Sequence, residues 1–577
     1  MLAGMSITHV LFYVFVCACI YKCELTSKGI KIGVIGHINI PSFLMASVFE
    51  PSVWSDFFRK YEPQPLNSSQ EWMKTRTDKL KKDVLLLFRT CTNNLDRMTL
   101  VDVVQRLGIE HLFEEQTATA LTDIHRSEFN SSNLHDVSLR FRLLREHGLW
   151  ASPDVFKTFK GEDGTFNHDI TKDPKGLLCF YNAAYVLTHG EPLLEEAISF
   201  TKYHLESLAP SLVSPLAEQV KRALHVPLPR TYRRLEALQY MPEYEKEVGY
   251  NPTLLELAKL EFNLLQSVHL KQLKAISEWY NDLSAYVELS FARDRVVECY
   301  LWGYSVFYEE EYSLERMIFA KCTFVHTLLD DINDVRATLV EYRKLDAAIQ
   351  RWNVSAVSLV PDYLKKFYNK LLMCFREFKD ELTLNGRYPI DHIKKTFQQQ
   401  SKFYLQEAEW LHQNHKPNFK DKLHLAAMST GVTTLCVYTM VCMGDGAPKG
   451  ALEWALGYPD VIMACAKIGR LMNDLAGSSK HRNNRGDVAN CVDCYISEHK
   501  VTDKVAFAVI NSMIEDEWKT TNQARFEHRR ELFPVVQRVI NFSLSLPVYY
   551  GDRKDAFTFS MHLDGIIKSL FVRPIPV

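Results

Sequence analysis

The chain has 577 residues, of which 47% are hydrophobic and 24% charged, and a formal net charge of −2. This is the composition of an ordinary globular protein, and the length exceeds what one hydrophobic core usually serves, so two domains are expected. The near-neutral balance, without any long Lys/Arg block, excludes nucleic acid as a partner. The 13 scattered cysteines indicate free thiols in a reducing compartment.

The N-terminus carries an apolar run from Ile7 to Tyr21. Its length of about 15 residues falls short of the roughly 20 needed to span a bilayer. No Lys or Arg precedes it, unlike a signal peptide, and Lys22, Lys28 and Lys31 follow it, so insertion would leave the bulk of the chain cytosolic. Met45 opens Met-Ala-Ser-Val-Phe-Glu-Pro-Ser-Val-Trp, directly ahead of the first compact segment. Residues 1–47 are therefore expected to be an extension, with 1–44 outside the mature protein. Native peptides from before Met45 would contradict this.

From Thr75 onward the apolar residues follow helical spacing. Leu80 to Phe88 form one stripe, and Thr99 to Gly108 begin on a capping Thr and end on Gly. Leu139–His147 and Leu194–Leu208 continue the pattern, and strand-like alternation is scarce. Breakers at Pro51, Pro63, Pro65, Gly161–Gly164, Pro227, Pro229 and Pro252 mark helix ends, with a domain break between Tyr240 and Pro252. The second half predicts helices over Leu254–Trp279, Tyr312–Leu329, Val340–Trp352, Pro361–Leu382, His392–Trp410, Leu423–Met443 and Asp460–Ala476, long enough to enclose a cavity. Thr430 and Gly431 interrupt the sixth of these, where freed carbonyls would face that cavity. Cys491 and Cys494 have a CxxC spacing but no second pair to complete a zinc site, and read as helix residues.

The chemistry concentrates in three places. Asp330-Asp331-Ile332-Asn333-Asp334 follows an apolar helical run, and Asp330 and Asp334 share a helix face one turn apart. Such like charges repel by roughly a few tenths of a kcal/mol. Crowded hard oxygen donors suit Mg²⁺, which retains water and binds substrate phosphate as well. Taken alone, the pentad also reads as a solvated acidic helix end. Upstream, Arg293 and Arg295 flank a turn before a helix, where two guanidiniums can clamp a diphosphate. Downstream, Arg470-Leu-Met-Asn473-Asp474-Leu-Ala-Gly477-Ser-Ser-Lys-His481 places Asn473, Gly477 and His481 at i, i+4 and i+8.

This set resembles the plant class I terpene synthases, and among them the cytosolic sesquiterpene synthases. The pentad resembles the family's DDxxD motif, and Arg293-Asp-Arg295 its RxR motif, with 35 residues from Arg295 to Asp330 as the family has. The Asn473-Asp474 segment is similar to its second metal motif. The resemblance extends over residues 48–577. It implies an all-α fold of two domains: an N-terminal helical domain over 48–250, without the DxDD acids of protonation-initiated members, and a metal-binding catalytic bundle over 251–577. The implied activity is that of a carbon–oxygen lyase which ionises and cyclises farnesyl diphosphate and releases diphosphate.

Three Mg²⁺ ions are implied, with Mn²⁺ as a substitute. Asp330, Asp331 and Asp334 would hold two; Asn473, Asp474, Gly477 and His481 would hold the third. Arg293, Arg295 and Arg470 would take the diphosphate. Trp279, Tyr280, Tyr404, Thr430, Gly431 and Phe557 would line the cavity, and a lid carrying Tyr550, Asp555 and Phe557 would complete the site. Ring faces would stabilise the cation. A cytosolic monomer without a stable membrane partner is the implied state. Three departures stand out. The family's Ser/Thr and Glu in the second motif are Gly477 and His481, and imidazole is a poor Mg²⁺ ligand. Phe557 replaces a Tyr, and Tyr280 a Trp. Two readings therefore stand open: an active synthase with a weakened third metal site, whose turnover His481→Glu would raise, and an inactive relative that keeps the fold and binds diphosphate.

Overall fold

The structure is a computed structural model and describes residues 21–26, 29–34, 49–50, 52–54, 56–62, 70–384, 391–444, 447–477, 490–527 and 530–577. The chain divides into two units, Met1–Val48 and Phe49–Val577. The first contains an antiparallel hairpin of Tyr21–Thr26 and Gly29–Val34, paired from Tyr21 opposite Val34 to Thr26 opposite Gly29. The sequence reading gave no strand here; the alternation of Ile30 and Ile32 with Lys31 and Gly33 has the strand period of two. The apolar run from Ile7 lies outside the described residues except for Tyr21.

The second unit is all-α; its described residues contain no strand, and the one isolated bridge joins Lys160 to Phe166. Local chemistry sets the helix ends. Asn251 caps Pro252–Val287, its side chain accepting from the Thr253 and Leu254 amides, with Pro252 in the first turn where no amide donor is needed. Thr338 and Glu341 form a reciprocal capping box at Leu339–Arg351.

Burial orders these helices. Val432–Met443 is buried on every face, and Ser313–Asp331 almost so, which places both at the centre. Ser313–Asp331 packs on Val296–Val306 and Val432–Met443, while Asp460–Gly477 packs on Asp503–Glu527 and Phe533–Tyr550. The largest apolar cluster runs from Trp54 through Tyr244 and Leu254 to Phe571, so it crosses the sequence boundary at 240–252 without interruption. Two smaller clusters lie within the N-terminal half, around Phe141–Phe180 and Leu177–Val220. Phe419–Met443 is long and apolar enough to cross a membrane, yet 94% of its most apolar 18-residue window is buried inside the protein.

Candidate active site

The central helices enclose a cavity of about 230 Å³ lined by the pentad carboxylates on one side and by Arg470 and Asn473 on the other. Ser313–Asp331 delivers Asp330 and Asp331, and its last turn widens into a π-helical turn, Ile332–Arg336, closed by the Ala337 amide on the Ile332 carbonyl at 2.8 Å. Such wide turns recur at functional sites because they re-aim side chains, and Asp334 here lines the cavity beside Asp330.

Arg293 grips the pentad. Its Nη2 is 2.5 Å from Asp330 Oδ2, its Nε 2.8 Å from Asp331 Oδ1, and its amide donates to Asp331 Oδ2 at 2.7 Å. Burial opposes the Arg293 charge, but Asp331 and Asp330 outweigh it and hold the guanidinium protonated. Burial pushes the Asp331 carboxyl up to about 6, against the pull of Arg293. Asp334 is raised first by the surrounding protein, although water reaches it through the cavity mouth, and then by the charges of Asp330 and Glu407.

Glu407, on Asp391–His412, is a residue the sequence reading missed. It lines the same cavity, with Lys422 Nζ 3.9 Å away, and burial raises its pKa. Its signal in the sequence was only one acid among several on a long amphipathic helix. Five carboxylates (Asp330, Asp331, Asp334, Glu407 and Asp555) therefore face two guanidiniums, Arg293 and Arg470, around one cavity. Carboxylates in such excess over guanidiniums, two of them (Asp331 and Asp555) buried, together with Asp331 Oδ1 lacking a hydrogen bond of good geometry, fit a site for hard divalent cations. Among the described residues no three His, Cys, Asp or Glu side chains converge closely enough to hold a metal alone. A bound ion would therefore share ligands with substrate oxygens and water, as Mg²⁺ does at phosphates.

The other expected residues divide. Tyr404, Thr430, Gly431 and Phe557 line the cavity, as do Tyr550 and Asp555 of the C-terminal segment. Gly431 has φ +79°, conformational room only glycine uses freely, and a Cβ there would meet nothing within 4 Å. Asn473 lines the cavity, but Asp474 does not: it is fully buried, accepts from the Cys491 amide at 2.8 Å and pairs with Arg470 Nη2 at 2.8 Å. Asp474 thus orients Arg470 instead of facing a metal. Gly477 is the last residue of its helix and is not part of the lining, and His481 lies outside the described residues.

Arg295 lies apart from the diphosphate site it was expected to form. It is fully buried and absent from the lining; Nε donates to the Phe557 carbonyl at 2.8 Å, Nη1 to that of Asp294 at 2.6 Å, and Nη2 to those of Glu50 and Thr558 at 3.1 and 2.6 Å. Its guanidinium ties the segment at Glu50 and the C-terminal lid to the Arg293 turn, and does not reach the cavity. Trp279 and Tyr280 also fall outside the lining; both pack on Phe324, with ring centroids at 6.1 and 5.0 Å. The indole that faces the cavity is Trp302, two helical turns after Arg295 and stacked on Tyr549 at 3.6 Å with a 7° interplanar angle.

An all-α enclosure whose carboxylate-rich mouth meets an aromatic interior is the architecture of a metal-dependent enzyme acting on a diphosphate with an apolar tail. Residues 281–520 match the model of the terpene synthase family metal-binding domain and residues 53–224 that of the terpene synthase N-terminal domain. The chain belongs to the terpene synthase family. It is 50% identical to tau-cadinol synthase of Zea mays, over 92% of this chain and 98% of that one. It is 47% identical to alpha-copaene synthase of Zea mays, over 91% and 99% respectively. Isoprene synthase from grey poplar, solved with three Mg²⁺ ions and dimethylallyl-S-thiolodiphosphate, superposes with a TM-score of 0.79 at 30% identity, covering 88% of this chain and 98% of that one. Limonene synthase with 2-fluorolinalyl diphosphate gives a TM-score of 0.81 at 26% identity, over 92% and 99%.

Proposed function

We infer that the chain is a sesquiterpene synthase, which ionises farnesyl diphosphate in a divalent-metal-dependent step and converts the C15 cation to a terpene. The observation that carries this reading is the juxtaposition of the five-carboxylate mouth with an aromatic cavity in one chamber. The high identity to curated sesquiterpene synthases supports it over the inactive-relative reading, as does the retention of Asp330, Asp331, Asp334, Arg293 and Arg470 around one cavity.

Asp330, Asp334 and Glu407 would hold divalent cations on one side of the diphosphate and Asn473 on the other, and bound Mg²⁺ would supply the positive charge that stabilises the leaving group. We propose three ions, with Mn²⁺ as a working substitute. Arg470, oriented by Asp474, reaches the diphosphate as a fixed charge-assisted donor. Arg293, paired with Asp330 and Asp331, would serve as a further charge-assisted donor to the diphosphate when those carboxylates hold cations. Trp302 and Phe557 then offer π faces to the prenyl cation, each worth about 2 kcal/mol when desolvated. The helix walls exclude water that would otherwise quench it. A cytosolic monomer completes the reading.

The test is product analysis. The full chain is incubated with Mg²⁺ and either farnesyl or geranyl diphosphate, and volatiles are separated by gas chromatography–mass spectrometry. C15 hydrocarbons or alcohols from farnesyl diphosphate are expected. A preference for the C10 substrate would overturn the assignment of chain length, and no product from either would overturn the activity.

A further inference from the structure

Ring closure makes a demand on the cavity that ionisation does not. Diphosphate leaves from C1 of the prenyl chain, so C1 starts beside Arg470, which lines the cavity and holds the diphosphate in the proposed function. A ring forms only if a distal C=C folds back to about 3–3.5 Å from C1. Two lengths of hydrocarbon must then lie side by side next to Arg470, and the chamber must be wide there.

The wall at that level is built around Gly469, the residue before Arg470 and itself part of the lining. Glycine is the poorest helix former after proline. Gly469 lies inside Asp460–Gly477 without a positive φ, so its use there is the side chain it lacks. A Cβ would stand 3.2 Å from Leu546 Cδ2, 3.8 Å from Leu546 Cδ1 and 3.8 Å from Val432 Cγ2. Leu546 and Val432 line the cavity too. The Leu546 side chain therefore lies back against bare backbone at Gly469. On its own helix, Phe533–Tyr550, Leu546 stands between Phe542 and Tyr550, one turn away on either side, and all three line the cavity. Phe542 is held edge-on against Trp302 at 5.2 Å. With the Gly469 backbone behind it and a ring at each end, the direction left for Leu546 to yield is into the chamber.

We propose that Gly469 is a specificity-determining residue. By letting Leu546 lie back, it gives the chamber the width beside Arg470 that ring closure needs, and so selects cyclic over acyclic C15 products. This rests on the sesquiterpene synthase reading. In the ring-forming step the electron pair of the distal C=C becomes a new C–C bond to C1, and the positive charge passes to the other carbon of that double bond. In the acyclic step no C–C bond forms. A C–H bond beside the allylic cation breaks, its electron pair becomes a C=C bond, and the proton goes to the released diphosphate; the ring-formed cation later loses a proton in the same way.

The test compares full-length wild type with Gly469→Ala, Leu546→Phe and the double variant Gly469→Ala with Leu546→Val, all folded by circular dichroism. Each receives farnesyl diphosphate and Mg²⁺, and products are separated by gas chromatography–mass spectrometry. The added methyl moves Leu546 by a few tenths of an ångström. A misplacement of 1 Å costs roughly 100-fold, so the cyclic-to-acyclic ratio is expected to fall about tenfold. Diphosphate release falls by less than that ratio. The double variant relieves the crowding and recovers most of the ratio. Leu546→Phe narrows the same wall with Gly469 untouched, shifts the ratio in the same direction, and carries the test if Gly469→Ala does not fold. An unchanged ratio in folded Gly469→Ala or in Leu546→Phe would overturn the proposal and leave Gly469 a packing contact between helices. So would a double variant no nearer wild type than Gly469→Ala, or a wild type that makes only acyclic C15 products. No C15 product from wild type would instead overturn the function on which it rests.

Discussion

Two arginines set two residues apart do opposite things here. Arg293 pairs with both Asp330 and Asp331, so it competes with any cation for those oxygens. In Arg293→Met, Mg²⁺ alone is expected to raise Tm more than it does in wild type, while inorganic diphosphate stabilises less; calorimetry with each ligand measures both. Arg295 instead satisfies the carbonyls of Glu50, Phe557 and Thr558 from a fully buried position. Leaving buried carbonyls unsatisfied costs about 1–3 kcal/mol each, so Arg295→Met is expected to lower the urea midpoint of unfolding. An unchanged midpoint with lost diphosphate binding would return Arg295 to the cavity. The sequence could not separate the pair, because an Arg-x-Arg spacing on a turn does not say which guanidinium meets carboxylates and which meets carbonyls contributed by residues 245 and 262–263 positions away.

At the scale of elements, the site depends on two departures from regular helix: the wide turn at Ile332–Arg336 and the break at Thr430–Gly431 between Phe419–Ser429 and Val432–Met443. The break was legible because Gly follows Thr inside an apolar helical run, and the pentad because its acids are neighbours in the chain. The lining aromatics were only partly so: Tyr404, Tyr550 and Phe557 do line the cavity, but helical spacing alone does not fix which stripe meets it. Trp279 and Tyr280 were expected there and pack on Phe324, while Trp302, Glu407 and His326 reach it through contacts between helices far apart in sequence. Gly431→Ala tests the break. The positive φ costs an L-residue roughly 1–2 kcal/mol, and the added methyl projects into open space. A lower Tm with an altered C15 product ratio is expected; unchanged stability would mean the break does not need glycine.

For the whole molecule, the all-α class followed from helix periodicity and the class I terpene synthase fold from the resemblance the motifs carry, while one apolar core runs across residue 250 and joins both sides. Inside that core lies Glu298, fully buried, with neither carboxyl oxygen hydrogen-bonded. Burial lifts its pKa from 4.5 to about 8, against the nearby Arg295 charge. Below the unfolded value both states hold the proton. Between the two values only the folded state does, so its contribution to stability is lost as pH rises, by up to about 1.4 kcal/mol per pH unit. Glu298→Gln is therefore expected to unfold at higher urea than wild type at pH 8, with the gap closing toward pH 5. A gap independent of pH would contradict this.

The central claim is that the carboxylate mouth recruits divalent cations to ionise a prenyl diphosphate. The measurement that tests it most directly is the rate of diphosphate release from farnesyl diphosphate by the full chain, titrated with Mg²⁺, with Asp330→Asn alongside. The account predicts a rate that saturates with Mg²⁺, vanishes with chelator, and falls about 100-fold or more in Asp330→Asn, the scale seen when one charge-stabilising group is removed from an active site. Release that persists in chelator, or that is unchanged in the folded variant, would contradict it.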